Sequence, residues 1–164
     1  YHPVLLGGLF KASGNSSPVM VPAKGRYMMM DDLPRFAKLY DVPLNNNPHF
    51  PINTLNLMRG AVAVLDSGHF ETYIGAVFKA IWVDSKNMGD MDTVIEVLSN
   101  AGLNASAILK STQDAEVKGK LISNTEGAVE RGLFGAPTMF VDGEMFFGQD
   151  RLQFVEAALQ QKDN

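Results

Sequence analysis

Apolar side chains recur every three or four residues through most of this chain, and give way to alternation only near its end. The opening run Tyr1-His2-Pro3-Val4-Leu5-Leu6 reads as the tail of a strand, broken at Gly7-Gly8. Residues 11–26 have the Ser, Gly, Pro and Asn of a loop. A helix is predicted over 27–40, with Leu33, Phe36, Ala37 and Tyr40 on one face. Pro34 predicts a kink or a late start within it. Pro43, Pro48 and Pro51 then bracket an extended stretch.

Further helices are predicted over 53–68 (stripe Leu55, Met58, Val62, Leu65), 70–83 (Tyr73, Val77, Ala80, Ile81) and 92–100. A brief one follows Asn104 as cap, and a longer one spans 114–131 with Val117, Leu121, Thr125 and Ala128 inward. Gly68, Gly102 and Gly132 stand where these helices stop. The period then changes. Thr138–Val141 and Glu144–Phe147 are short β-type runs, and Asp142-Gly143 between them is a hairpin turn signal. Leu152, Val155, Ala158 and Leu159 mark a terminal helix, with Asp150 placed to cap it.

A lone hairpin is not stable by itself. Its partner strands are expected from the N-terminal side, where the chain opens on Tyr1 without a Met. Residues upstream of Tyr1 are therefore expected. The 164 residues carry a formal charge of −4, so there is no basic footprint for nucleic acid. No apolar run is long enough to span a membrane, and no signal peptide is visible. Cys is absent, which excludes disulfides, thiolate zinc sites and a Cys nucleophile within these residues. His69-Phe70-Glu71 lacks the Cys pair of a deaminase site, Met28-Met29-Met30 reads as gap-filling core, and no metal site is expected. His49, among Pro48, Phe50 and Pro51, reads as a packed loop residue or as the lining of a cleft.

Pro137 enters the first β run, so Ala136-Pro137 is either a tight helix-to-strand turn or a cis bond. A helix, Gly135-Ala136-Pro137-Thr138, an Asp-Gly hairpin and a final helix together resemble the C-terminal half of a thioredoxin-like fold. The helical block ahead of them resembles the DsbA-like branch. Two blocks narrow the match: Gly8–Asn15 with Pro22–Met28, and Phe134–Thr138 with Phe147–Arg151. These resemble the kappa-class glutathione transferases and their relatives, the 2-hydroxychromene-2-carboxylate isomerases.

The resemblance implies an α/β, thioredoxin-like fold with a large all-helical insertion. Residues 1–10 and 113–164 would form the thioredoxin-like part, and 11–112 a connecting loop and the insertion. The N-terminal strand-helix-strand unit would lie upstream, with the family's thiolate-stabilising Ser, so the catalytic residue is not identified here. The resemblance also implies glutathione as cofactor. Asn15 and Lys24 would contact the tripeptide, and Ala136, ahead of a cis Pro137, would pair with its cysteinyl backbone. Gln149 and Asp150 would hold the γ-glutamyl end. Each has a plainer role open to it: Asn15 in a loop turn, Lys24 as a solvated charge, Asp150 as a helix cap.

The implied activity is a glutathione-dependent isomerisation of an aromatic-catabolism intermediate such as 2-hydroxychromene-2-carboxylate, by reversible thiolate addition. The alternatives are a kappa-type transferase, a DsbA-like oxidoreductase with C-x-x-C upstream, and a non-enzymatic binding module. The expected partners are a small aromatic substrate and, by family analogy, a second copy in a homodimer, with a cytoplasmic location.

Overall fold

The computed structural model of the chain describes residues 1–161; the expected thioredoxin-like part ends in residues 162–164, which lie outside them. Residues 1–5 carry no strand ladder. Their polar groups go instead to helix side chains. The Leu5 N–H donates to Thr125 Oγ1 at 3.0 Å, and Asn124 Nδ2 donates to the Pro3 carbonyl at 3.1 Å. The expected break at Gly7-Gly8 is also replaced, because both glycines lie inside helix α1, Leu6–Ser13. Gly14, at φ 69°, ends it.

The expected loop at 11–26 contains a 3₁₀ turn, Pro18–Met20, and helix α2, Pro22–Tyr27. Loop-like composition misled here because Pro18 and Pro22 sit in first turns, where a missing N–H costs nothing. A wide π turn, Met28–Asp32, joins α2 to α3, Leu33–Leu39. The Leu33 N–H reaches back five residues to the Met28 carbonyl. Pro34 follows at once; its ring would clash with the carbonyl four residues back, and the widened turn makes that room.

The core lies among α4 (Leu55–Val64), α5 (Phe70–Trp82), α6 (Met91–Asn100) and α7 (Ala105–Ser111). Leu98 and Met88 are among its most deeply buried side chains. The inward line predicted for α5 holds, with Tyr73, Val77, Ala80 and Ile81 all buried. That predicted for α4 does not. Its buried residues are Leu57, Gly60, Ala61 and Val64, while Leu55, Met58, Val62 and Leu65 are half-buried. The small residues face α5, and Gly60 passes directly beneath Tyr73. The Tyr73 hydroxyl donates to the Leu57 carbonyl at 2.8 Å, and burial pushes its ionisation well above the ordinary phenol range.

Asp90 caps α6 by accepting the Thr93 N–H, and that bond together with the Thr93 hydroxyl holds its carboxyl below the usual range. Asn104 caps α7 by accepting the Ala107 N–H. Helix α8, Ala115–Glu130, packs on α1 and α4 and buries Leu121, Thr125 and Ala128.

Strands β1 (Thr138–Val141) and β2 (Glu144–Phe147) form an antiparallel hairpin in the register Thr138↔Phe147 to Val141↔Glu144. Asp142 and Gly143 turn it at φ 50° and 88°, the signs a type I′ turn requires. A 3₁₀ turn, Gln149–Arg151, leads into α9, Leu152–Gln160. The stripe predicted for α9 is only partly covered: Val155 and Ala158 are half-buried, while Leu152 and Leu159 are exposed. Among the described residues, no helix is long and apolar enough to cross a membrane.

Candidate functional site

The segment between α8 and β1 is fixed from several sides. The Ala136–Pro137 bond is cis, as is Phe50–Pro51. Gly135 is buried under Phe147; a Cβ there would stand 2.6 Å from the ring's Cε2. The Phe134 and Phe147 ring centroids are 4.6 Å apart. Thr138 Oγ1 donates to the Gly135 carbonyl at 2.9 Å, and the Gly148 N–H donates to the Pro137 carbonyl at 2.9 Å. Asn15 reaches the same segment from the loop after α1. Its Nδ2 donates to the Phe134 carbonyl at 2.7 Å, and its Oδ1 accepts the Ser16 N–H at 2.8 Å. Asn15 thus fills its turn role and also straps the loop to the cis-proline segment.

Between these ties, Ala136 is exposed, and neither its amide nor its carbonyl bonds to another described residue. An exposed, fixed, unpaired peptide unit is what an extended peptide needs for main-chain pairing.

Gly148, at φ 100°, carries the chain from β2 into the Gln149–Arg151 turn. The Asp150 carboxylate folds back over it, 2.6 Å from where a Cβ would stand, and pairs with the Arg151 guanidinium. Asp150 does not cap α9 as the sequence suggested. Arg151 occupies the cap position and the helix start has no side-chain cap bond, because the intervening 3₁₀ turn moves the helix start past Asp150. Tyr40, at the end of α3, donates its hydroxyl to the Gln149 carbonyl at 2.8 Å.

Asn15, Ala136, Pro137, Gln149 and Asp150 therefore belong to one connected region. Lys24 stands outside that network: it is exposed on α2, and its side chain makes no hydrogen bond or ion pair with another described residue. His49 is exposed and does not line the cleft described next, so neither sequence reading of it holds.

Pro137 also borders an apolar cleft of about 720 Å³. Leu33 from α3, Leu44 from the following loop, and Phe78, Trp82 and Val83 from α5 and its end line it. Lys79 is the one charged residue of its lining, with Nζ paired to Asp84 at 2.6 Å. A ring-sized apolar ligand fits such a volume, with a cation at its edge for an anionic substituent. Apart from Pro137, the lining residues of this cleft were not singled out from sequence as site residues, nor were Phe134 and Tyr40. For Tyr40 the one available signal was its place on the predicted α3 face.

A DSBA-like thioredoxin domain model matches residues 1–160. Glutathione S-transferase kappa 1 of Rattus norvegicus is 31% identical, over 98% of this chain and 76% of its own length. The 2-hydroxychromene-2-carboxylate isomerase of Sphingobium xenophagum is also 31% identical, over 97% of this chain and 81% of its own length. A solved structure of a 2-hydroxychromene-2-carboxylate isomerase superposes with a TM-score of 0.85 at 28% identity, covering 96% of this chain and 77% of that one.

Proposed function

This chain belongs to the DsbA-like thioredoxin family, and from that premise we propose that it is a glutathione-dependent isomerase of a conjugated apolar carboxylate, of the kind that names its isomerase relatives. The observation that carries this reading is the position of Pro137. Pro137 follows the Ala136 peptide unit, which has no backbone partner among the described residues, and itself lines the apolar cleft walled by α3 and α5. A bound peptide thiol and an apolar substrate would meet across that residue.

The residues fit glutathione. Ala136 offers a donor and an acceptor to its cysteinyl unit. Asp150 suits the ammonium, and Arg151, now paired with Asp150, suits a carboxylate once that pair opens. Lys24, whose side chain has no partner among the described residues, would suit the remaining carboxylate. When bound, glutathione supplies the thiolate that adds to the conjugated substrate and later leaves it. The chain's own work is positioning. The Asn15 and Thr138 bonds hold the cis-proline segment still, and the cleft orients the ring.

Turnover of 2-hydroxychromene-2-carboxylate by the full-length protein tests the reading. The rate is expected to depend on glutathione and to saturate with it. A rate unchanged when glutathione is omitted would sink the mechanism. A kappa-type transferase would use the same glutathione residues, and the kappa relative is as similar in sequence as the isomerase. Faster conjugation of chlorodinitrobenzene than isomerisation would favour that second reading.

A further inference from the structure

The Gln149–Asp150 turn has little to hold it in place. The 3₁₀ turn is three residues long, has no side-chain cap, and follows a glycine in the left-handed region. Helix α9 behind it is loosely covered, with Leu152 and Phe154 about half exposed. Within the C-terminal segment its restraints are the Gly148 N–H on the Pro137 carbonyl, the Arg151 N–H on the Gly148 carbonyl, and the Arg151–Asp150 pair. The last of these uses Asp150 Oδ2 alone, which leaves Oδ1 to accept from a ligand ammonium.

One restraint comes from elsewhere. The Tyr40 hydroxyl donates to the Gln149 carbonyl across 109 positions of sequence, at 2.8 Å. Tyr40 is itself fixed: its N–H donates to the Phe36 carbonyl at 2.9 Å, and its ring stacks on Phe36 with centroids 5.8 Å apart. A shallow cleft lined by Phe36, Leu39, Tyr40 and Asp150 lies between α3 and the turn.

We propose that Tyr40 is a positioning residue for the glutathione site, holding the Gln149 carbonyl so that the Gln149–Asp150 turn is already shaped for the γ-glutamyl end before the ligand arrives. This rests on the function proposed above. The Tyr40 bond reaches a half-exposed turn, so it contributes little to global stability. Its effect falls on ligand affinity, because a turn held in shape loses less freedom on binding.

The test is calorimetric titration of the full-length protein and its Tyr40→Phe variant with two ligands. Glutathione carries the γ-glutamyl unit, and the dipeptide cysteinylglycine lacks it. Tyr40→Phe removes one oxygen and keeps the ring stack, so its melting temperature is expected to stay within a few degrees of the parent. The expected result is a glutathione Kd raised about three- to tenfold, the range one hydrogen bond commands, with cysteinylglycine binding unchanged. An unchanged glutathione Kd, or equal weakening of both ligands, overturns the proposal alone. Absence of glutathione binding by the unmodified protein overturns the functional reading and this proposal with it.

Discussion

Asn47 shows what one buried polar side chain does here. It is 6% exposed, yet its amide is engaged at both ends. Nδ2 donates to the Ile81 and Lys86 carbonyls, each at 2.9 Å, and Oδ1 accepts the His49 N–H at 2.8 Å. Those bonds tie the proline-rich loop to the end of α5, and so set Leu44 against Trp82 in the wall of the apolar cleft. Asn47→Leu takes a donor from the Ile81 carbonyl and the acceptor from the His49 N–H, while the Lys86 carbonyl keeps the Met88 N–H at 3.1 Å, and is expected to lower unfolding free energy by about 2–3 kcal/mol in urea titration. Asn46→Ala loses only a 3.5 Å contact to Met30 Sδ, and should stay within about 0.5 kcal/mol. The sequence drew attention to His49 instead. Proline neighbours mark a loop, but nothing in a linear pattern shows that an asparagine will meet carbonyls 34 and 39 positions away.

Most elements were legible because their period is strong. The helices over 70–82, 91–100 and 115–130 and the hairpin all lie within a residue or two of expectation. Two kinds of element were not. The stretch from Gly7 to Arg26 reads as a break and a loop because of its Gly, Pro, Ser and Asn, although Gly7, Gly8, Pro18 and Pro22 occupy first turns and Gly14 a helix end. Helix α4 shows the other failure, since bulk chose the wrong face. Gly60 and Ala61 are buried because they let α5 approach. Gly60→Ala tests that crossing. Alanine is the better helix former by about 1 kcal/mol, so an open site would gain stability. Here the new Cβ would overlap the Tyr73 hydroxyl and displace its bond to Leu57. The expected outcome is a loss of about 1–3 kcal/mol by thermal or urea unfolding. Any gain would show that the two helices are not in close contact.

At the scale of the whole molecule, the resemblance drawn from two sequence blocks led to the right family, and Asn15, Ala136, Pro137, Gln149 and Asp150 do fall in one region. The second half of the site was not readable residue by residue. The apolar cleft draws on α3, α5 and a loop, and its Leu33, Leu44, Phe78, Trp82 and Val83 are indistinguishable in sequence from ordinary core residues. The seven-residue helix α3 serves both halves. Leu33 at its start lines the apolar cleft, and Tyr40 just past its end holds the turn at Gln149. In the function proposed above, one element that touches both ligand positions can couple their affinities. The factor by which a saturating aromatic carboxylate changes the glutathione Kd must equal the factor by which glutathione changes the Kd of that carboxylate. Titrating each ligand in the presence of the other is expected to give matched factors of about fivefold or more, while factors of one would show that α3 transmits nothing. With such coupling, the apparent affinity for either proposed ligand is set by the concentration of the other.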